Sequence, residues 1–293
     1  MTGSYDMDTN LVYWGVGNPG PDLNNETRTG DNLYTNSIVA LNADSGHREW
    51  SFQFTPGDVH DFDANHVPII AELSIDGKTR KVVMSATKNG FFYILDASSG
   101  EFISAQELTR QTWALGLNQN GRPIRNEAAT PKVTGTRVYP SVGGGANWWP
   151  PSFNPDLRIY TVPVLEGGAI YHSNDDDYRR GELYVGGSAV PIPGEPRYMS
   201  LKAINPETNE IIWERRGSED RKFDLTGGVL STATGLVFWG DSNVFYALDA
   251  LTGKVLWQAN VGGSIVAAPM TYSVNDKQYV AVSAGRGLFV FAL

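Results

Sequence analysis

Three stretches of the chain, "ALNADSGHREW" at 40–50, "AINPETNEIIW" at 203–213 and "ALDALTGKVLW" at 247–257, are copies of one template. A fourth, "ILDASSGEFIS" at 94–104, keeps the template but closes on Ser104 instead of tryptophan. Each copy opens as an apolar strand, turns through Asp or Asn, then Ser or Thr, then Gly or Asn, and leaves as a second strand. That order predicts a β-hairpin, because the polar residues fall where the backbone needs turn geometry and left-handed angles. The closing tryptophan is placed to pack between neighbouring sheets.

The copies end at 50, 104, 213 and 257, and the wide interval before 213 predicts a hidden unit passing through "SFNPDLRIYTVPV" at 152–164. Periods of roughly 40 to 50 residues, each worth four short strands, predict an all-β chain folded as a β-propeller of four-stranded blades. About five blades fit the length, as one partial propeller domain over 1–293 with an inserted loop near 166–198. Composition agrees: 32 Gly, 16 Pro, 13 Tyr and 8 Trp in 293 residues suit many short strands joined by tight turns.

A net charge of −9 argues against a nucleic-acid surface, which needs clustered Lys and Arg. The absence of cysteine excludes disulfides, thiolate metal sites, a cysteine nucleophile and a covalent haem attachment. No apolar run approaches the ~20 residues of a membrane span. The first residues carry no charged-then-apolar leader and enter a strand pattern almost at once, so the chain is expected to begin within a longer protein.

The loop "TPGDVHDFDANHVP" at 55–68 crowds acidic residues and two histidines between apolar runs. With "GVGNPGPDLNNETRTGDNLYTNS" (15–37), "SATKNGFFYILD" (85–96), "GGGANWWPPSFNP" (143–155) and "FDLTGGVLSTATGLVFWGD" (223–241), it resembles the pyrroloquinoline quinone (PQQ) dependent alcohol dehydrogenases. These are the methanol/ethanol dehydrogenase family of eight-bladed quinoproteins. The template A-x-(D/N)-x-x-(T/S)-G-x-x-x-W resembles their tryptophan-docking motif. The resemblance runs along essentially the whole chain but matches only the C-terminal half or so of the family's length.

The resemblance implies roles. Asp61 matches the carboxylate that touches the metal and acts as general base, taking the hydroxyl proton of a primary alcohol or related substrate while hydride passes to PQQ. A cation beside that carboxylate keeps it ionised and polarises the quinone carbonyl. Asn18 matches an amide ligand, a neutral oxygen that a hard cation accepts. Asp63 matches an extra carboxylate found in lanthanide-using members, so the expected ion is a lanthanide or Ca2+. Two residues apart in an extended loop, Asp61 and Asp63 would point the same way. Lys88 matches the basic contact to the quinone oxygens. Asn147 and Trp148 match residues near the quinone edge, and Thr226 falls where some relatives place a ring-contacting aromatic. Without the family, the acids would read as ordinary turn residues, Trp149 as packing between blades, and His60 and His66 as shaping the loop. "NDDDY" at 174–178 reads as a solvated acidic loop.

Upstream blades that in the family supply a Glu ligand, a disulfide ring against the quinone and further cofactor contacts have no counterpart here, so the chain is expected to carry part of the site. The resemblance implies a periplasmic enzyme, a small alcohol or aldehyde substrate and a separate cytochrome c as electron acceptor. A partial propeller also exposes blade edges, which favours self-association. The alternative is a non-catalytic propeller of the same repeat, a protein-interaction scaffold with no need of metal ligands; joint retention of Asn18, Asp61, Lys88 and Asn147 favours the enzyme lineage.

Overall fold

The computed structural model describes residues 2–217 and 226–292. It divides into two compact units, Met1–Asn147 with Glu166–Arg197, and Trp148–Leu165 with Tyr198–Leu293.

In the first unit, β1 (Ser4–Asp6), β2 (Leu11–Gly15), β3 (Ser37–Asn42) and β4 (Arg48–Gln53) form an antiparallel sheet in chain order. A second sheet repeats the meander with β5 (Ile69–Ile75), β6 (Lys78–Ala86), β7 (Phe91–Asp96) and β8 (Phe102–Glu107). The second sheet explains its own sequence. Every residue of "FFYIL" in β7 is buried, so both faces are covered and alternation gives way to a continuous apolar run. Beyond it lie the short pair β9 (Ala114–Leu117) and β10 (Pro123–Arg125) and the strand β11 (Thr136–Val138).

In the second unit, β12 (Ser152–Asn154) and β13 (Ile159–Glu166) join β16 (Tyr198–Asn205) and β17 (Glu210–Arg216) in one four-stranded sheet. The segment 152–164 is therefore the first half of the blade that carries the 203–213 copy, not a separate unit. What hid this is the insertion between the halves. It is not a plain loop: β14 (Ala169–Ser173) and β15 (Gly187–Pro191) form a hairpin that pairs with β11 in the first unit. A further four-stranded sheet, β18 (Thr226–Ser231), β19 (Leu236–Asp241), β20 (Val244–Asp249) and β21 (Val255–Asn260), precedes a three-stranded one, β22 (Met270–Val274), β23 (Lys277–Ala284) and β24 (Gly287–Ala292). The chain is all-β and built from propeller-type blades, four of them four-stranded among the described residues.

The template copies behave as one device. The Oδ1 atoms of Asn42, Asp96, Asn205 and Asp249 each accept from the backbone N–H groups two and three residues on. Each turn then closes through a residue in the left-handed region, Gly46, Gly100, Asn209 or Gly253. At Gly100 the missing side chain matters twice, because φ is +71° and an added Cβ would fall inside the Trp50 indole. Trp50 thus lies flat on the next blade's turn, donating Nε1–H to Ala97 O at 3.0 Å. Trp213 repeats the contact in the second unit, donating to Ala250 O at 2.8 Å over Gly253. The copy that ends in Ser104 docks through Phe102 instead, whose ring covers Gly121 in the β9–β10 hairpin. Trp257 packs edge-on against Phe291, with 4.9 Å between ring centroids.

Candidate active site

Residues 55–68 link the first sheet to the second without regular structure, yet most of them are buried. A buried loop must satisfy its backbone from within. Asp58 does much of this: its Oδ1 accepts from His60 N–H at 2.9 Å, and its Oδ2 from Phe62 N–H at 2.7 Å and from Asn36 Nδ2 at 3.1 Å. Asn36 also donates to Phe62 O at 2.8 Å. His60 Nε2 pairs with Ala129 O at 2.9 Å and its ring stacks on Phe62. Burial holds His60 below the usual imidazole range and pushes His66 down to about 3, so both rings are neutral inside the loop.

Between those anchors stands Asp61, with φ at +61°, a backbone region a non-glycine residue seldom enters. The loop is not extended there, so the period-two expectation fails, although its consequence survives. The carboxylates of Asp61 and Asp63 converge on one point, occupied by the Lys88 ammonium: Nζ is 3.3 Å from Asp61 Oδ2 and 2.9 Å from Asp63 Oδ2. Lys88 comes from the turn between β6 and β7. That turn is anchored by the buried Asn89, which donates to Phe54 O and accepts from Phe91 N–H. Burial pushes Asp61 up to about 7, with Lys88 opposing the shift and Asp63 adding to it. A half-buried acid raised toward neutrality, with a lysine and a second acid beside it, is the arrangement expected of a functional group.

Asn18 follows β2. Its backbone N–H donates to Asp63 Oδ1 at 3.0 Å, so the loop carrying the amide is fastened to the second acid. Asp22, which sequence reasoning missed, lies beside it: burial raises its carboxyl, while a hydrogen bond from the Asn18 side chain opposes. Asn147 closes the other side. Its Oδ1 accepts from Asn65 at 3.0 Å, and its Nδ2 donates to Gly143 O at 2.7 Å. Gly144, at φ +78°, lets residues 143–147 rest on Lys88, since a Cβ there would stand 2.6 Å from the lysine stem.

The first unit therefore brings together Asn18, Asp61, Asp63, Lys88 and Asn147, residues scattered over 130 positions of sequence. Trp148 and Thr226 belong to the second unit. Trp148 is part-exposed beside Trp149, which is buried with Leu165 and Met199. Thr226 is buried, donating Oγ1–H to Gly240 O and accepting from Trp239 Nε1, so its hydroxyl holds its own blade together. Phe223, Asp224 and Leu225 of the same motif lie outside the described residues. Asp175, Asp176 and Asp177 are exposed, as a solvated loop requires. No helix among the described residues is long and apolar enough to cross a membrane.

The donor set suits a hard cation. Two carboxylates and one amide are oxygen donors, and the carboxylates already converge on a positive charge, that of Lys88.

All-β blades docked through tryptophans, with an acid pair on one loop meeting a lysine from the β6–β7 turn, define a propeller of the quinoprotein class. The PQQ family model described as "Glucose/ethanol/alcohol dehydrogenase, beta-propeller domain" matches residues 1–112 and 182–280. This chain belongs to that family of PQQ-dependent dehydrogenases. It is 37% identical to the quinoprotein alcohol dehydrogenase PedH of Pseudomonas putida, covering 98% of this chain and 49% of that one. With the quinohemoprotein alcohol dehydrogenase ADH IIB of Pseudomonas putida the identity is 38%, over 97% of this chain and 42% of the other. The crystal structure of the quinohemoprotein alcohol dehydrogenase from Comamonas testosteroni superposes with a TM-score of 0.91 at 33% identity, covering 98% of this chain and 44% of that one. A europium-containing methanol dehydrogenase gives 0.90 at 32%, covering 98% and 50%. The chain spans less than half the length of the two curated relatives.

Proposed function

We propose that this chain carries the metal-and-base half of a PQQ-dependent alcohol dehydrogenase site, with Asp61 as general base. The single observation behind this is the convergence of Asp61 and Asp63 on the Lys88 ammonium, in a buried loop whose backbone is strained at Asp61.

Bound PQQ supplies the hydride acceptor, chemistry that no side chain offers. Asn18, Asp61 and Asp63 would hold the metal, whose positive charge beside Asp61 would keep that carboxylate ionised against the burial that raises it. Ionised Asp61 takes the hydroxyl proton of a primary alcohol or related substrate at Oδ1 or Oδ2. Lys88, which balances the two acids in this structure, would face negative charge that develops during reduction once the metal takes its place between them. Asn147, held by Asn65, positions the quinone edge; Trp148 and Thr226 stand as cofactor contacts on family resemblance alone.

Asp63 favours a lanthanide over Ca2+, since a more highly charged ion gains more from a second carboxylate. The europium in a relative of 32% identity supports the same choice. A periplasmic setting and a separate cytochrome c acceptor are part of the proposal; one relative carries the name 1-butanol dehydrogenase (cytochrome c). Self-association through exposed blade edges is also part of it, with Met270, Leu288 and Val290 exposed on the two outer strands of the last sheet.

The test is a titration of PQQ into the purified chain, followed by tryptophan quenching, with lanthanum, with calcium and with neither, beside Asp61→Ala. Metal-dependent, saturable quenching that Asp61→Ala abolishes is expected, stronger with lanthanum. Quenching that ignores metal and survives Asp61→Ala contradicts the assignment and favours the scaffold alternative.

A further inference from the structure

We infer that Asp58 is a positioning residue for Asp61, and that with Asn36 it sets the geometry in which Asp61 meets metal and substrate. The inference rests on the proposed role of Asp61 as ligand and base.

Asp58 is buried, and its two carboxylate oxygens are taken up by the loop's own His60 N–H and Phe62 N–H and by the Asn36 amide. The donors it gathers flank Asp61 on both sides, His60 N–H before it and Phe62 N–H after it. Those two bonds close the backbone around Asp61 and hold it at φ +61°. A strained conformation persists only where its surroundings over-determine it, and here the Asp58 carboxylate supplies a bond on each side of Asp61. Asn36 extends the clamp. It donates to both Asp58 Oδ2 and Phe62 O, and its own N–H donates to Gly17 O at 2.9 Å, directly before Asn18. One buried pair thus fixes the loop of the base and the loop of the amide ligand relative to each other.

An amide in place of Asp58 offers one acceptor oxygen where three donors need two. Asp58→Asn is therefore close in size but turns a donor toward His60 N–H or Phe62 N–H, and the loop must shift at Asp61. Loss of such an outer partner typically weakens metal affinity ~10–100-fold. A residue that served only folding would lower the melting temperature and leave the affinity of the folded protein alone.

The experiment measures terbium affinity of the chain by tryptophan-sensitised luminescence, well below the melting temperature, for the parent, Asp58→Asn, Asn36→Ala and Asp61→Ala, with melting curves for each. Asp58→Asn is expected to bind terbium at least ~10-fold more weakly while still melting cooperatively, and Asn36→Ala to show a smaller loss. If Asp61→Ala loses binding but Asp58→Asn keeps parental affinity within twofold, the positioning role is overturned and the proposed metal site stands. If Asp61→Ala itself binds as the parent does, the metal-site proposal fails and takes this inference with it. Should Asp58→Asn not fold, Asn36→Ala decides by the same criterion.

Discussion

Aspartate does opposite work in two regions of this molecule. In the docking turns, the Oδ1 atoms of Asp96 and Asp249 accept from N–H and O–H groups two and three residues on, so that oxygen is satisfied by its own turn, and Asp96 Oδ2 adds a pair with Arg80. In the loop at 55–68, Asp61 bonds no neighbouring backbone; it meets Lys88, 27 residues away, from a left-handed backbone. Burial and hydrogen bonds compete differently in the two places. At Asp96 the bonds from Ser98, Arg80 and Ser99 outweigh burial and hold the carboxyl at about 2; at Asp61 burial wins and raises it to about 7. An acid satisfied locally builds structure, and one left to a distant charge is available for chemistry.

The comparison breaks first under substitution. With PQQ and lanthanum bound, Asp61→Asn is expected to reduce alcohol-dependent dye reduction ~10³-fold, the range for losing a general base, whereas Asp249→Asn leaves the rate unchanged. Equal effects at both positions would erase the distinction. Next in size, Trp50→Ala opens a cavity over the Gly100 turn and is expected to destabilise the first unit by about 3–5 kcal/mol in a denaturant titration.

The sign of pH dependence sharpens the contrast. Because the folded carboxyl of Asp61 lies above its unfolded value, the folded state holds the extra proton between about pH 4 and 7, and stability falls as pH rises through that window. In chelator, Asp61→Asn is therefore expected to stabilise the chain at pH 8, on the order of 1 kcal/mol, and to remove that slope from the melting temperature. Asp96 behaves in the opposite sense. Its contribution is present above about pH 4 and is lost as pH falls toward 2. Asp96→Asn should flatten that acid limb by roughly 1 kcal/mol or less, given its partial exposure.

The same contrast explains what the sequence discloses. The docking turns are legible because every hydrogen bond that defines them lies within a few residues. So is the all-β class. The second half of the blade at 198–216 is legible too, but not its first half, because β12 and β13 reach β16 across an insertion whose own hairpin pairs elsewhere. Phe102 replaces tryptophan as the docking ring, and nothing local marks Gly121 as its seat. At the site, family resemblance selected Asn18, Asp61, Asp63, Lys88 and Asn147, and the fold gathers them. It gave no sign of Asp58, Asn36 or Asp22, whose work depends on partners brought together only by folding.

The most direct measurement is anomalous diffraction from crystals soaked with lanthanum. A single strong peak within bonding distance of oxygens of Asn18, Asp61 and Asp63, with the Lys88 ammonium displaced from between the acids, is the predicted result. A lanthanum peak elsewhere, at the exposed acids 175–177 for instance, with Lys88 still bridging Asp61 and Asp63, would contradict it.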